Sequence, residues 1–281
     1  MNLWYTEEDQ KQLRFGYKVK QVLEDMQTEF QKLEVIETVT YGKMLVLDGC
    51  VMVTENDEFV YHEMIAHIPV ALAAQPVKDV LVIGGGDGGT VRELLKHAEV
   101  EKITLCEIDG KVVEVSKKHF PEVACGLSDP RVEVKIGDGV AFMKTQTKAY
   151  DLVIIDSTDP IGPGVGLFTG DFYKSVANAL KPEGLMVAQS ESPWYSREVL
   201  CRIQNNIRSG FAHSRSYIGS VPTYPRGLWS WTMARFSPID PAMANLDKIA
   251  AIESSLKYLT PEMVKAAFVL PPFYADKIKP D

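Results

Sequence analysis

The sequence predicts an α/β chain: a mostly parallel sheet with an antiparallel edge strand, preceded by a small N-terminal β domain. Three observations predict it. From Val77 onward, short apolar runs alternate with helical segments across glycine turns, the pattern of parallel strands joined by crossover helices. The last two strand-like runs, in "HSRSYIGSVPTYPRGLWSWTMARF", have no helix between them, which makes an antiparallel pair. Before position 57, "GKMLVLDGCVMVTE" sets Asp48-Gly49 between two apolar runs, a hairpin signal.

These observations divide the chain into residues 1–56 (β strands and hairpins), 57–236 (an α/β unit) and 237–281 (a helical tail packed on it). "DEFVYHEMIAHIPVALAA" has apolar residues at helical spacing, with Asp57 as N-cap and Pro76 closing the segment. "VKDVLVI" is a buried strand, "GTVRELLKH" a helix and "EKITLCEID" a strand. "GKVVEVSKKHF" is a helix stopped by Pro121, and "RVEVKIGDG" a strand ending in Gly-Asp-Gly. "YDLVIIDSTDP" is an apolar strand ending in acid. "DFYKSVANAL", "GLMVAQS" and "SREVLCRIQNNIRSGF" read as helix, strand and helix. In the tail, Thr260-Pro261-Glu262 fits an N-cap with proline at the first helical position.

Composition narrows the setting. The net charge of −8 comes without a cluster of Lys or Arg beyond a pair or so, which argues against a nucleic-acid partner. No apolar run approaches the ~20 residues that span a bilayer, and the charged first residues lack the apolar stretch of a signal peptide. Four scattered cysteines without a Cys-x-x-Cys pair read as reduced thiols in a cytoplasmic protein.

The chemistry concentrates at strand ends. In "VLVIGGGDGGTVREL", Gly84, Gly86 and Gly89 satisfy G-x-G-x-x-G between a strand and a helix, and Glu107 follows 21 residues after Gly86. A carboxylate there can accept from a ribose diol. A dinucleotide fits this pattern, and so does an adenosyl sulfonium without phosphate. Asp87 bears on the choice: a carboxylate inside the turn repels pyrophosphate and attracts a cation. Asp87 also suits a simple helix cap. Asp138 in "IGDG" could accept from an adenine amine or be a turn aspartate before glycine. Asp156 and Asp159 in "IIDSTDPIGPG" complete five acids at successive strand ends, a negative crevice suited to a substrate with more than one positive charge.

Other motifs fail. In "HEMIAH", His62 and His67 are five residues apart, ~140° around a helix, so they cannot share a metal on one face; no metal is expected. Neither G-x-S-x-G nor G-x-x-x-x-G-K-[ST] occurs. His97, His119 and His213 read as surface or core residues. Three other readings stay open: a methyltransferase of the same fold, which would need no Asp at position 87, an NAD-dependent oxidoreductase, and a non-catalytic module that binds a polycation.

Several stretches together resemble a family. "YHEMIAHIP", "VLVIGGGDGGTVREL", "CEIDGKVVEVSKK", "YDLVIIDSTDPIGPG", "SVPTYPRGLWSW" and "AAFVLPPF" look like spermidine synthase, the polyamine aminopropyltransferase family, from about Trp4 to Phe273. The resemblance implies a Rossmann-like, methyltransferase-type fold behind a small N-terminal β domain. It implies transfer of the aminopropyl group of decarboxylated S-adenosylmethionine to putrescine, giving spermidine and methylthioadenosine. It implies no cofactor, the sulfonium being a co-substrate, and a homodimer or homotetramer formed through the N-terminal region.

By the same resemblance, Gln31 contacts the sulfur end of the nucleoside, and Glu107 takes the ribose diol. Asp138 and Gly139 meet the adenine, with Pro163 packed near it, and Asp87 holds the amine end of the aminopropyl chain. Tyr61 and His62 border the amine channel; many relatives carry Gln where this chain has His62. Asp156 is the proton acceptor, with Ser157, Thr158 and Asp159 placing the acceptor amine. Tyr224 lines the far channel, with Trp4 and Glu191 implied there as well.

Overall fold

The computed structural model describes residues 3–9, 11–158 and 162–279, with the side chains of 162 and 163 left aside. It contains two sheets. The first is antiparallel and in sequential order: β1 (Trp4–Asp9), β2 (Leu13–Gln27), β3 (Lys32–Thr38), β4 (Lys43–Leu47) and β5 (Cys50–Thr54). The expected hairpin is present. Asp48 and Gly49 both take positive φ, 48° and 88°, and Leu47 pairs with Cys50, as a two-residue type I′ turn requires. Two register shifts bend the long β2. Alternation along β3 and β4 sends Leu33, Val35, Leu45 and Leu47 to a core shared with Val112, Val115 and Phe120. Ile36, Met44 and Val46 face the other way, onto Val19 and Val51.

The second sheet has seven strands: β6 (Asp79–Gly84), β7 (Lys102–Glu107), β8 (Val132–Ile136), β9 (Tyr150–Asp156), β10 (Leu180–Gln189), β11 (His213–Gly219) and β12 (Trp229–Arg235), in the order β11-β12-β10-β9-β6-β7-β8. β6 to β10 are mutually parallel. β12 runs antiparallel to β10, and β11 antiparallel to β12. The antiparallel strand is therefore the last but one, and β11 forms the edge. This is a Rossmann-like, methyltransferase-type sheet. The chain order reverses between β6 and β9, and the crevice beyond such a switch point is where open α/β sheets bind ligands.

Crossover helices α2 (Gly89–Leu94), α3 (Gly110–His119), α4 (Gly139–Lys144), α5 (Gly170–Ala179) and α6 (Arg197–Arg208) follow the strands, after α1 (Glu58–Leu72), which enters the second sheet from the first. One core packs α1 and α2 on one face of the sheet; the other packs α5 and α6 on the opposite face. All of α1 but Phe59 is buried. It is enclosed by the sheet, α2 and the C-terminal segment, so its spacing pattern understates its burial.

Asp57 does occupy the N-cap position of α1, but its side chain does not cap. The carboxylate instead accepts from Thr54 Oγ1 (2.5 Å), Thr223 N (2.9 Å) and Thr223 Oγ1 (2.7 Å). α1 also stops at Leu72, with Ala73 extended, ahead of Pro76. The tail is made of short pieces: α7 (Asp247–Ala250), α8 (Pro261–Ala266) and α9 (Pro272–Lys277), with single 3-10 turns between. Thr260 caps α8 through Met263 N, with Pro261 in the first turn. Glu63 of α1 anchors the tail by accepting from Lys257, Tyr258 and Leu259 N at 2.7, 3.0 and 2.7 Å. Among the described residues no helix is long and apolar enough to cross a membrane.

Candidate active site

Four of the five strand-end acids reach one cavity. Asp87, Glu107, Asp138 and Asp156 line one concave space at the switch point, the place where ligands bind in open α/β sheets. Asp159 lies outside the described residues, as does the Pro163 side chain; the neighbouring Gly164 lines the cavity. The opposite wall comes from the first sheet through Gln31, Leu45, Leu47 and Met52. Glycine admits these acids to the loop. Gly85 stands at φ 66°, and a Cβ there would lie 2.7 Å from Asp156 Oδ2. A Cβ on Gly89 would lie 2.2 Å from the His62 ring.

One end of the cavity suits a nucleoside. Glu107, at the end of β7, is buried and accepts from Asp109 N (2.9 Å) and Gly86 N (3.2 Å). Burial outweighs those bonds and raises its carboxyl to about 7. Gln31 is held by its Nε2, which donates to Asp109 Oδ2 at 3.1 Å. Asp138 serves as N-cap of α4, accepting from Val140 N at 2.8 Å, and also lines the cavity beside Gly139. The turn reading of Asp138 is thus met by its cap, and its carboxylate also has a place on the cavity wall.

The other end gathers charge. Asp156 Oδ1 accepts from Tyr61 OH at 2.8 Å, and Oδ2 from Thr90 Oγ1 at 2.6 Å. Burial, reinforced by the nearby Asp87 carboxylate, raises the Asp156 carboxyl above the ordinary aspartate range. Burial likewise holds the Tyr61 phenol well above its usual value, so it stays a donor. Asp87 Oδ1 accepts from Gly89 N at 2.7 Å and stands 3.1 Å from His62 Nε2. Asp87 is thus a local cap and a cavity wall at once. Burial alone would raise its carboxyl, but the neighbouring His62 holds it below the usual range. His62, Asp87 and Asp156 each bring a polar atom within 4.8 Å of one another, a grouping suited to an alkylammonium. The two histidines of "HEMIAH" have different partners: His67 faces His97 (2.9 Å) and Glu93 (2.9 Å), further along α1.

A second space of about 360 Å³ adjoins the first and shares Met52, Tyr61, Ser157, Thr158 and Tyr224 with it. Glu7, Cys50, Val51, Gln189, Pro225 and Trp229 complete it, and sequence reasoning singled out none of the six, nor Thr90. Gln189 was reachable, because it ends the central strand β10 on the carboxyl edge; its amide lies 3.4 and 3.5 Å from Ser157 O and Thr158 O. Nothing in the sequence singles out Glu7, which accepts from Val51 N at 3.1 Å. Tyr224 OH donates to Met52 O at 2.9 Å. Neither Trp4 nor Glu191 lines these spaces. Trp4 is 53% exposed on the outer strand β1, over Gly16 of β2. Glu191 is buried past the end of β10, with φ 68°.

Comparison with known proteins agrees with this geometry over the whole chain. A family model described as the spermine/spermidine synthase domain matches residues 58–241, and one described as the spermidine synthase tetramerisation domain matches residues 3–55. The latter points to an oligomer. The polyamine aminopropyltransferases of Bacillus cytotoxicus and Bacillus subtilis are each 47% identical to this chain. Those matches cover 99% of it and 100% and 99% of the two proteins. The crystal structure of spermidine synthase from Thermotoga maritima superposes with a TM-score of 0.93 at 39% identity, over 99% of this chain and 94% of that one. A crystal structure of spermidine synthase in complex with the transition state analogue AdoDATO gives 0.94 at 40% identity, over 98% and 94%. With two family models spanning its sheets in turn and close relatives along its full length, this chain belongs to the spermine/spermidine synthase family.

Proposed function

We propose that the protein is an aminopropyltransferase that moves the aminopropyl group of decarboxylated S-adenosylmethionine to putrescine, giving spermidine and methylthioadenosine. The observation that carries this reading is that Glu107 and Asp138 share one cavity with Asp87 and Asp156: a nucleoside end and a cation end, with a carboxylate in the turn where a dinucleotide would need its phosphates.

The displacement is in line. A neutral amine attacks the methylene carbon beside the sulfonium, a neutral thioether leaves, and positive charge passes from sulfur to nitrogen. No anion develops, so the site supplies alignment and stabilises a cation; alignment at about 3–3.5 Å can contribute several kcal/mol. Glu107 takes the ribose diol, Asp138 and Gly139 meet the adenine beside Pro163, and Gln31 sits at the sulfur end. Asp87 receives the ammonium of the donor chain. The acceptor amine lies along Tyr61, His62, Ser157, Thr158, Asp159 and Tyr224. A free alkyl amine is mostly protonated near neutrality, with a pKa of about 10.4 like lysine, whereas a free aspartate sits near 3.9. The raised carboxyl of Asp156 narrows that gap, and its charge favours the ammonium as it forms. The reaction requires no cofactor beyond the co-substrate. The first sheet is the contact surface for a homodimer or homotetramer, and the setting is cytoplasmic.

The test is incubation with decarboxylated S-adenosylmethionine and a panel of diamines, with products identified by mass. Spermidine and methylthioadenosine in equal amounts are expected. Methyl transfer from S-adenosylmethionine with no aminopropyl product would replace this reading.

A further inference from the structure

Behind the amine end stand two charged residues with no part in the reaction above. Glu58 opens α1, one turn before His62, and is buried. Its Oε2 lies 2.6 Å from His62 Nδ1, and its two oxygens accept from Arg92 Nη1 (2.9 Å) and Nη2 (2.8 Å). Across the ring, Nε2 lies 3.1 Å from Asp87 Oδ1. The ring rests directly against Gly89, where even a Cβ would collide with it. Both ring nitrogens therefore face carboxylate oxygens, Nδ1 in a hydrogen bond and Nε2 in a charge contact, and the doubly protonated imidazolium is the form that both contacts favour.

The groups facing His62 come from three elements. α1 supplies Glu58 and the edge-on ring of Tyr61, 5.5 Å away. The glycine loop and α2 supply Asp87 and, behind Glu58, Arg92. β9 supplies Asp156, whose carboxylate is within 4.8 Å. His62 thus sets a cation on the carboxylate that the donor ammonium needs.

We propose that Glu58 and Arg92 are positioning residues that keep His62 as a displaceable cation on Asp87, so that binding of the aminopropyl ammonium expels one proton from His62 to solvent. This rests on the aminopropyltransferase reading of the site. Only the Nε2–H bond breaks. Nδ1–H stays on Glu58, and the freed Nε2 lone pair faces the ligand. Asp87, Asp156 and His62 then offer three acceptors within 4.8 Å, matching the three N–H groups of a primary ammonium. The energetics agree with this exchange. Burial pulls the imidazolium down, but Asp87 and Glu58 outweigh burial and raise it to about 10. A second cation within about 4–6 Å lowers such a group by about 1 to 3, which brings the exchange into the working pH range.

The experiment counts protons. Isothermal titration calorimetry at pH 8, in buffers of different ionisation enthalpy, compares decarboxylated S-adenosylmethionine with methylthioadenosine, which lacks the ammonium. Any titration of Glu107 is common to both ligands and cancels. The amine-bearing ligand should release an excess of about a tenth of a proton to nearly one, and Glu58→Gln and His62→Gln should abolish the excess. Nitrogen NMR of the His62 ring should show two protonated nitrogens in the free protein and one in the complex. Equal proton counts for the two ligands, or an excess that survives in His62→Gln and so arises at Asp156, would overturn the proposal. If Glu58→Gln does not fold, His62→Gln and the ring spectrum still decide. Aminopropyl transfer without excess proton release defeats this inference alone; failure of the donor to bind or react defeats the functional reading and this inference with it.

Discussion

Tyr61 and Asp156 are 95 residues apart in sequence, and the phenol of one donates to the carboxylate of the other at 2.8 Å. The bond joins α1 to the end of β9 across the cavity. Thr90 holds the second oxygen, so the Asp156 carboxylate is fixed in plane from two sides.

Removing the phenol leaves Oδ1 without that donor. Hydrogen bonds to charged groups contribute about 1.5–3 kcal/mol, so Tyr61→Phe should lower kcat about 10- to 100-fold. Affinity for methylthioadenosine should stay within a few-fold. Steady-state kinetics with equilibrium binding separates the two; a weaker nucleoside with normal kcat would place Tyr61 elsewhere in the cycle.

Asp156→Asn keeps the shape and removes the proton acceptor. A positioned acid–base group typically contributes about 10²- to 10⁴-fold, and a loss of that size in kcat is expected with nucleoside affinity nearly intact. Single-turnover measurements with saturating donor check it, and an unchanged turnover number would remove Asp156 from the chemistry.

On the proposed reading, Asp87 faces the end of the donor chain, where S-adenosylmethionine would bring an additional carboxylate. Like charges there disfavour that ligand, so Asp87→Asn should narrow the preference for the decarboxylated form by about tenfold or more. Competition binding of the two sulfoniums gives the ratio directly; an unaltered ratio would leave Asp87 with its bond from Gly89 N and its pairing with His62.

Glu107 predicts a stability effect of definite sign. Its folded carboxyl sits near 7 against an ordinary 4.5, so the folded protein binds the proton more tightly than the unfolded chain. The resulting stabilisation is complete below about pH 4.5 and is lost as pH rises through 7. Above that, ionised Glu107 costs on the order of 3 kcal/mol. In the free protein, Glu107→Gln should therefore raise Tm at pH 8, with the gap closing toward pH 4.5, while nucleoside affinity falls. Calorimetric melts across pH test this, and a lower Tm for the variant at pH 8 would contradict it.

Features that depend on neighbours in sequence were legible before the fold was known. The Asp48-Gly49 turn, the strand–glycine–helix alternation and the Thr260-Pro261 cap are examples, each set by a few adjacent residues. The strand-end acids were legible too, because parallel strands bring their carboxyl ends to one edge. Long-range partners were not. Asp57 satisfies the local rule for a cap, yet its carboxylate goes to Thr223, 166 residues away. His62 could be placed at the channel, but not its contacts with Glu58 and Asp87, which depend on the ring resting against Gly89. Glu7 belongs to the second cavity only because β1 and β5 lie close in the first sheet, and Trp4, on the same strand, points away from it.

The cavity has a floor and a roof of different origin. The floor is the glycine loop and the strand ends of the second sheet; the roof, with Met52 and Cys50, hangs from a hairpin of the first. Met52 borders both spaces, whereas Cys50 and Val51 border the second alone. On the proposed reading, exchanges at Cys50 and Val51 resize the amine slot while the glycine loop stays as it is, so a lineage can change its preferred diamine without rebuilding the means of holding the donor.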